Sequence, residues 1–237
     1  MNLLALQQAF SRRNGLPIPS SIIGNPDAQV QQVYGLLCEV LEDLSVERGL
    51  WANLAREATF VTVAAEDQGA ITTIAGPDFK FVVNDTIFNR TTQLPLYGPT
   101  TASRWQQAKA LTATGPFYKW RLVRQHILFN PAPVAGETCA FEYASRYLVL
   151  DVDGTTRKEY PGVDTDTFLL DHVLILAGLR WKWKYEKGLD YAEDFRRYET
   201  LAASAKIQES SAPILSMNGC EDSAQPGIFV PPGSWPL

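Results

Sequence analysis

Two aspartates separated by one residue give the strongest chemical signal in this chain. Asp151 and Asp153 follow the apolar run 147–150 in the stretch YLVLDVDGTTRKEY. A carboxylate at the end of a strand can act as a nucleophile, and a second carboxylate nearby can transfer a proton. The pair Asp153 and Gly154 also favours a tight hairpin turn, because glycine adopts positive φ angles freely. The same residues therefore predict either a catalytic acid pair or a β-turn.

The catalytic interpretation has a family to compare with. The stretch resembles the first motif of the Mg²⁺-dependent haloacid-dehalogenase phosphatases, which implies Asp151 as nucleophile and Asp153 as general acid-base. In that family the motif ends the first strand of a doubly wound parallel sheet, and later strands carry the remaining catalytic groups. Here 86 residues follow Asp151, and their pattern predicts two helices and an arm. This context favours the hairpin turn over the nucleophile.

Other candidate chemical groups also have structural explanations. Asp151, Asp153, Asp164 and Asp166 could bind a divalent cation, since hard cations prefer carboxylate oxygens. A turn followed by a capped helix accounts for the same four acids. We therefore predict no catalytic residue, no metal site and no cofactor, and the chain is not expected to be an enzyme.

Histidine and cysteine usage supports that expectation. His126 and His172 are the only histidines, and neither has a Ser or Cys partner nearby in the sequence. Cys38, Cys139 and Cys220 are far apart and do not match the spacing of a zinc site. We predict structural histidines and reduced thiols, as in a reducing cytosol.

A basic and aromatic segment, RWKWKYEKG at 180–188, allows three interpretations. Arg180, Lys184 and Lys187 recur at helical spacing, and Trp181 and Trp183 lie off that stripe. The segment could contact nucleic acid, pack its tryptophans in a core beneath a solvated basic face, or form a subunit interface. Core packing is preferred, and Arg180 and Lys184 are kept as candidate partner contacts.

The bulk composition excludes some classes of protein. A net charge of −5 provides no general attraction to nucleic acid or anionic lipid. An acidic protein can still line a passage through which DNA slides. The longest apolar stretch, 173–179, is too short for a bilayer, which needs about 20 apolar residues, so no membrane partner is expected. The N-terminal segment has its charges after its apolar part and predicts a short helix rather than a signal peptide.

Periodicity predicts an α+β protein: a helical bundle with an antiparallel β-meander domain and an extended C-terminal arm. We assign N-terminal helices to 1–54, the β domain to 55–163 with a short helix near 102–111, C-terminal helices to 164–211, and the arm to 212–237. Asn25 and Pro26 should start the second helix, which should end at Gly49, and Trp51 should pack back on the bundle. Asp164 or Thr165 should cap the next helix, which should end at Gly188.

Two further expectations concern particular segments. TCAFEYASRYLVLD, ending at Asp151, reads as one strand with Phe141, Tyr143, Tyr147 and Val149 on one face. Residues 212–237 mix Pro, Gly and Ser with isolated large apolar groups, each worth about 1.5–3 kcal/mol if buried. We therefore expect the arm to dock on its own domain or on a neighbouring subunit. Its candidate contact residues are Ile228, Phe229, Val230, Pro231 and Trp235.

Long segments resemble the head-to-tail adaptor proteins of short-tailed bacteriophages. The segments are 76–110 (GPDFKFVVNDTIFNRTTQLPLYGPTTASRWQQAKA), 114–151 (TGPFYKWRLVRQHILFNPAPVAGETCAFEYASRYLVLD) and 164–199 (DTDTFLLDHVLILAGLRWKWKYEKGLDYAEDFRRYE), and the N-terminal helices with ERGLW are similar as well. The match lies in the order and the residue pattern of long segments over most of residues 25–200, which makes it more specific than a short motif.

The resemblance implies a structural role in the virion. About a dozen copies would form a ring between the portal protein and the tail nozzle, extend the DNA channel and carry tail components such as fibres. Genomic DNA would pass without sequence-specific binding, and assembly would take place in the host cytoplasm. Another neck or tail-completion protein is the alternative within this class, and the phosphatase is the alternative outside it.

Overall fold

The structure is a computed structural model that describes residues 1–46, 51–110 and 117–209. These residues form an α+β fold with two hydrophobic cores, one helical and one mainly β. The helices are α1 (Leu3–Asn14), α2 (Ala28–Val46), α3 (Ile71–Ala75), α4 (Ala102–Ala110), α5 (His172–Glu186) and α6 (Ala192–Glu209), with a 3₁₀ turn at Ala52–Leu54.

Three antiparallel sheets contain the strands. The strands are β1 (Ala55–Val61), β2 (Asp67–Ala70), β3 (Phe79–Val82), β4 (Phe88–Asn89), β5 (Leu94–Pro95), β6 (Lys119–Val123), β7 (His126–Asn130), β8 (Thr138–Ser145), β9 (Val149–Leu150), β10 (Arg157–Lys158) and β11 (Thr167–Phe168).

The helical core joins the two ends of the described chain. Apolar residues at helical spacing in α2, from Val30 to Leu44, are buried against α1 and α5. The Asn2 side chain accepts from the Ala5 N–H and caps α1. Trp51 is fully buried, and its Nε1 donates to the Leu44 carbonyl at 3.2 Å. The predicted return of Trp51 onto the bundle is confirmed.

The β core is built around β8, which is paired on both sides. β1 runs antiparallel to it along its whole length, with Ala55 opposite Ala144 and Val61 opposite Thr138. β3 and β4 pair with successive parts of β8 on the other side. The strand order β1-β8-β4-β5 contains long sequence separations, so the predicted meander is wrong although the antiparallel pairing is confirmed.

The strand predicted to run from residue 138 to Asp151 is two strands. β8 ends at Ser145, whose buried hydroxyl accepts from the Tyr147 N–H at 3.1 Å. The Arg146 N–H leaves the ladder for the Asp78 carbonyl at 2.8 Å. After this break Val149 enters the helical core, whereas Tyr143 belongs to the β core. The change of core therefore falls between 145 and 148 rather than near 163.

Two helix starts also differ from the prediction. α2 begins at Ala28, where the Asp27 carboxylate accepts from the Gln29 N–H, so Asn25 does not cap it. α5 begins at His172 after the cap Asp171, because residues 167–168 pair with β9 as strand β11. The predicted stop at Gly49 lies outside the described residues, and α5 ends beside Gly188 as predicted.

Candidate functional site

The loop that carries the aspartate pair joins two antiparallel strands. β9 and β10 pair with Leu150 opposite Arg157, and residues 151–156 connect them. The Asp151 N–H donates to the Thr156 carbonyl at 2.9 Å, and Gly154 has a φ of 71°. The hairpin interpretation is therefore confirmed. The connection is a closed six-residue loop, longer than the tight turn that Asp153 and Gly154 favoured.

Asp153 organises this loop from within. Its carboxylate accepts from the N–H groups of Thr155 and Thr156, each at 2.9 Å, and from the Thr156 hydroxyl at 2.6 Å. These hydrogen bonds, that of the Thr156 hydroxyl first, hold the pKa of Asp153 far below its ordinary value. A general acid needs a proton to donate at working pH, and this carboxyl stays ionised.

Asp151 and Asp166 share one lysine. The Lys158 ammonium lies 3.0 Å from an Asp151 oxygen and 3.2 Å from an Asp166 oxygen. Asp166 is fully buried and also accepts from the Gly162 N–H at 2.6 Å and the Val163 N–H at 3.0 Å. Hydrogen bonding to the Asp151 carboxylate is the main reason that the pKa of Lys158 is raised. Asp151 is thus held by a cation beside it.

The fourth acid faces a different part of the molecule. The Asp164 carboxylate accepts from the N–H groups of Ile22 and Ile23, at 3.1 Å and 2.9 Å. It ties the loop before α2 to the segment before β11 and caps no helix. Within the described ranges, no three His, Cys, Asp or Glu side chains gather in a way that could hold a metal ion.

The sheet around Asp151 differs from the phosphatase pattern. β9 is the central strand of the order β10-β9-β11, and both of its neighbours are antiparallel. In that phosphatase family the nucleophile ends a parallel strand beside other parallel strands. The resemblance to the motif therefore covers the local sequence and not the arrangement of strands.

Each histidine contacts a carboxylate, and the two described cysteines are half-buried or buried. His126 Nδ1 lies 2.9 Å from an Asp67 oxygen, and His172 Nδ1 lies 3.1 Å from an Asp171 oxygen. Burial raises the pKa of the Cys139 thiol to about 12, which makes it a poor nucleophile at neutral pH. Cys38 is half-buried in α2 and its pKa is also raised, chiefly by burial. Cys220 lies outside the described residues.

The basic stripe of α5 faces acids of the neighbouring helices. Asp194 on α6 contacts both Arg180 Nε, at 3.2 Å, and the Lys184 ammonium. Lys182 pairs with Asp43 of α2 at 2.7 Å. Trp183 packs edge-on against Phe10 with a centroid distance of 6.1 Å. Trp181 and Trp183 pack against the helical core as predicted, although both are only partly buried. The predicted solvated basic face is wrong for Arg180 and Lys184, because Asp194 pairs with both, and their role as partner contacts stays a prediction.

A cluster of aromatic rings at the α5–α6 turn was not singled out from the sequence. Trp181 contacts Phe195 at 5.1 Å between centroids, and Tyr185 contacts Tyr191 at 5.2 Å. Tyr185 is 57% exposed and Leu189 is 49% exposed, so the cluster faces solvent. We call residues 185–195 with Trp181 the helical tip. Five aromatic residues within the 15 positions 181–195 were the available signal, and helical periodicity alone does not separate exposed rings from buried ones.

A shallow cleft lies where the start of α5 meets the end of α6. Its volume is about 370 Å³, and Asp171 and His172 are the ionisable side chains in its lining. The described lining residues are Met1, Asn53, Phe168, Leu169, Leu170, Asp171, His172, Ala205 and Gln208. No side chain among these described lining residues carries a hydroxyl, a thiol or an amine, so the cleft presents a histidine–carboxylate pair without a side-chain nucleophile.

The predicted arm contacts Ile228, Phe229, Val230, Pro231 and Trp235 lie outside the described residues.

No known family model matches the chain, and no curated protein matches it. In the part of the chain that the structure describes, no helix has the length and apolar character to cross a membrane.

Proposed function

We propose that this chain is a virion structural protein, a head-to-tail adaptor that joins the portal ring to the tail nozzle of a short-tailed bacteriophage. About a dozen copies form a ring that extends the DNA channel and carries tail components. The chain assembles in the host cytoplasm and ends in the neck of the virion. Another neck or tail-completion role is the neighbouring alternative, with the same chemistry and different contacts.

The observation that carries the proposal is the arrangement of the chain around one bundle. α1 and α2 share a single core with α5 and α6, although more than 100 residues separate α2 from α5. The β core is inserted between these two halves. This order agrees with the three segments on which the resemblance to the adaptors rests, and it provides a helical body with a separate β surface for a second partner.

The polar groups are consistent with a role that needs no chemistry. The strongest catalytic candidate, the aspartate pair, is bound by a lysine and by loop hydroxyl and N–H groups. Both histidines face carboxylates. These contacts build loops and join elements, which is what a protein of a static assembly requires.

The first test is assembly with the portal protein of the same virus. The full chain, alone and mixed with that portal, is measured by native mass spectrometry and negative-stain microscopy. We expect a ring of about a dozen copies seated on the portal. Deleting residues 212–237 should reduce portal binding, and an unchanged complex would show that the arm is not a portal contact. Failure of the intact chain to bind portal would overturn the adaptor proposal.

A further inference from the structure

Positive and negative charge are separated along this chain. Between Asp85 and Glu137, residues 86–136 contain six Lys and Arg side chains and no Asp or Glu. The whole chain is −5, so the remaining residues carry a net charge of −11. A net acidic protein therefore contains one continuous cationic segment, whose described residues include β4 to β7 and α4.

Several of these bases lack a compensating acid. Arg90 pairs with Glu57, and Lys109 pairs with Glu66. Among the residues that the structure describes, no ion pair is formed by the other four, which are Arg104, Lys119, Arg121 and Arg124. Unpaired charges in so uniform a region favour a partner of opposite charge.

Two exposed aromatic rings lie beside these bases. β6 is the edge strand of the order β2-β7-β6, and Tyr97 bridges to Lys119 at its first residue. Tyr97 is 53% exposed and Phe117 is 42% exposed, and their rings meet at 5.4 Å between centroids. The Thr100 N–H donates to the Trp120 carbonyl at 3.0 Å, which places the start of α4 beside β6. We call Arg104, Lys119, Arg121, Tyr97 and Phe117 the basic edge. Aromatic and arginine side chains are the residue types enriched in protein interfaces.

The helical tip has the opposite charge and the same aromatic character. Glu186, Asp190 and Glu193 are exposed there and form no ion pair within the described part of the chain. Lys187 is the base of that turn, and its ammonium donates to Gln32 Oε1 at 2.8 Å. Tyr185, Tyr191 and Phe195 complete an acidic and aromatic surface.

The helical tip and the β core contact opposite parts of α2. The helical tip is bound to the first part of α2 by the contact between Lys187 and Gln32. The last turn of α2 meets the β core, where the Lys80 ammonium donates to the Ser45 carbonyl. A rise of 1.5 Å per residue separates these two attachment points by about 20 Å. The helical tip therefore lies near one end of α2, and the β core attaches near the other end.

We infer that copies of this chain associate head to tail, with the helical tip of one copy on the basic edge of the next. The contact joins two different surfaces, so it is heterologous. An associated pair still exposes one helical tip and one basic edge, to which further copies can bind, as ring formation requires. Closure of the assembly into a ring rests on the proposed function. The contact between two copies rests on opposite charge and on exposed aromatic side chains. Duplex DNA is the competing ligand for the basic edge, but it leaves the acidic aromatic tip without a role.

The test is a charge exchange between two variants. One carries Glu186→Lys and Glu193→Lys in the helical tip, and the other carries Arg104→Glu and Lys119→Glu in the basic edge. Self-association is measured by sedimentation velocity at low salt, after circular dichroism shows that both variants are folded. Each variant alone should associate at least about tenfold more weakly than the unchanged chain, because like charges then face each other. Their equimolar mixture should recover association, since every contact between unlike variants is again complementary.

A matched control reverses two exposed bases outside both surfaces. Arg12→Glu with Arg146→Glu changes the net charge by the same amount as the basic-edge variant and should leave self-association within about twofold. A mixture that stays monomeric, an unchanged chain that is monomeric at low salt, or a control as weak as the variants would overturn this contact.

The same experiment separates this inference from the adaptor proposal. Rings on portal that are insensitive to all four charge reversals would overturn the contact and leave the adaptor role intact. Recovery of association in the mixture, without any binding to portal, would support the contact and contradict the adaptor role. Salt-sensitive binding of duplex DNA that needs Arg104 and Lys119, without self-association, would assign the basic edge to DNA instead.

Discussion

Asp166 shows how much a single buried charge depends on its neighbours in this protein. Burial opposes its ionisation, but the N–H groups of Val163 and Gly162 and the Lys158 ammonium outweigh burial and hold its pKa below the ordinary value. Its backbone carbonyl also accepts from the Leu3 N–H at 2.8 Å, at the start of α1. The residue therefore joins the small β9 sheet to the first helix.

Asp166→Asn should lower the free energy of unfolding at pH 7 by about 1.5–3 kcal/mol, the usual worth of hydrogen bonds to a charged group. A carboxyl with a lowered folded-state pKa stabilises above its unfolded pKa of about 4 and loses that contribution as pH falls through the folded value. The deficit of the variant should therefore shrink below about pH 4. Urea unfolding at pH 7 and near pH 3 checks both statements. Asp151→Asn, on the partly exposed partner of the same lysine, is the control and should cost about 1 kcal/mol or less.

At the scale of elements, the helices of the bundle approach closely at one glycine. Gly178 is buried in the middle of α5, and a Cβ built there would lie 2.7 Å from Val40 Cγ1 and 3.1 Å from Tyr198 Cε2. Both distances are shorter than ordinary van der Waals contact. The absence of a side chain at this position thus sets how closely α5 packs on α2 and α6.

Gly178→Ala should destabilise the protein by about 1–3 kcal/mol through overpacking, although alanine favours a helix. Gly35→Ala in α2 is the matched control, because a Cβ at Gly35 meets nothing within 4 Å. That change should stabilise the protein by about 0.5–1 kcal/mol, through helix propensity alone. Thermal unfolding of the two variants should give shifts of opposite sign. Shifts of the same sign would show that Gly178 does not control the helix packing.

At the scale of the whole molecule, the net negative charge does not favour DNA binding, whereas the positive charge of one segment does. The chain is −5 overall, and most of its bases on α5 are paired with acids. The cationic segment 86–136 is the exception. A protein that lines a DNA passage needs weak contacts with phosphates, because tight contacts release counterions and hold the duplex in place.

We expect the isolated chain to bind a short DNA duplex with a Kd weaker than about 1 µM at physiological salt, in the range of non-specific contacts. Fluorescence anisotropy across a salt series checks this value and its slope. The Arg104→Glu and Lys119→Glu variant serves as the comparison and should change binding little. A submicromolar affinity with a steep dependence on salt would contradict passage of DNA without retention.

Much of the local structure could be predicted from the sequence. The spacing in α2, the short helix predicted near 102–111, and the α5–α6 turn at Gly188 depend on residues within one or two turns. The Asp153 and Gly154 turn signal is local as well, and the loop forms where it was expected. For the candidate site, the predicted hairpin at Asp153 and Gly154 is confirmed. That Asp151 is not a nucleophile stays a prediction, which rests on the lack of parallel strands in the segments that follow it.

Tertiary structure decided what depends on distant partners. β8 ends where Arg146 turns to Asp78, and β11 replaces a predicted helical turn because β9 pairs with it. Asp164 and Asp166 bind N–H groups and a lysine instead of capping a helix. Sequence by itself determined helix periodicity, turn chemistry and the separation of charge along the chain. Which edges pair, which acids are buried and which rings face solvent are set by contacts between residues far apart in sequence, and periodicity does not encode them.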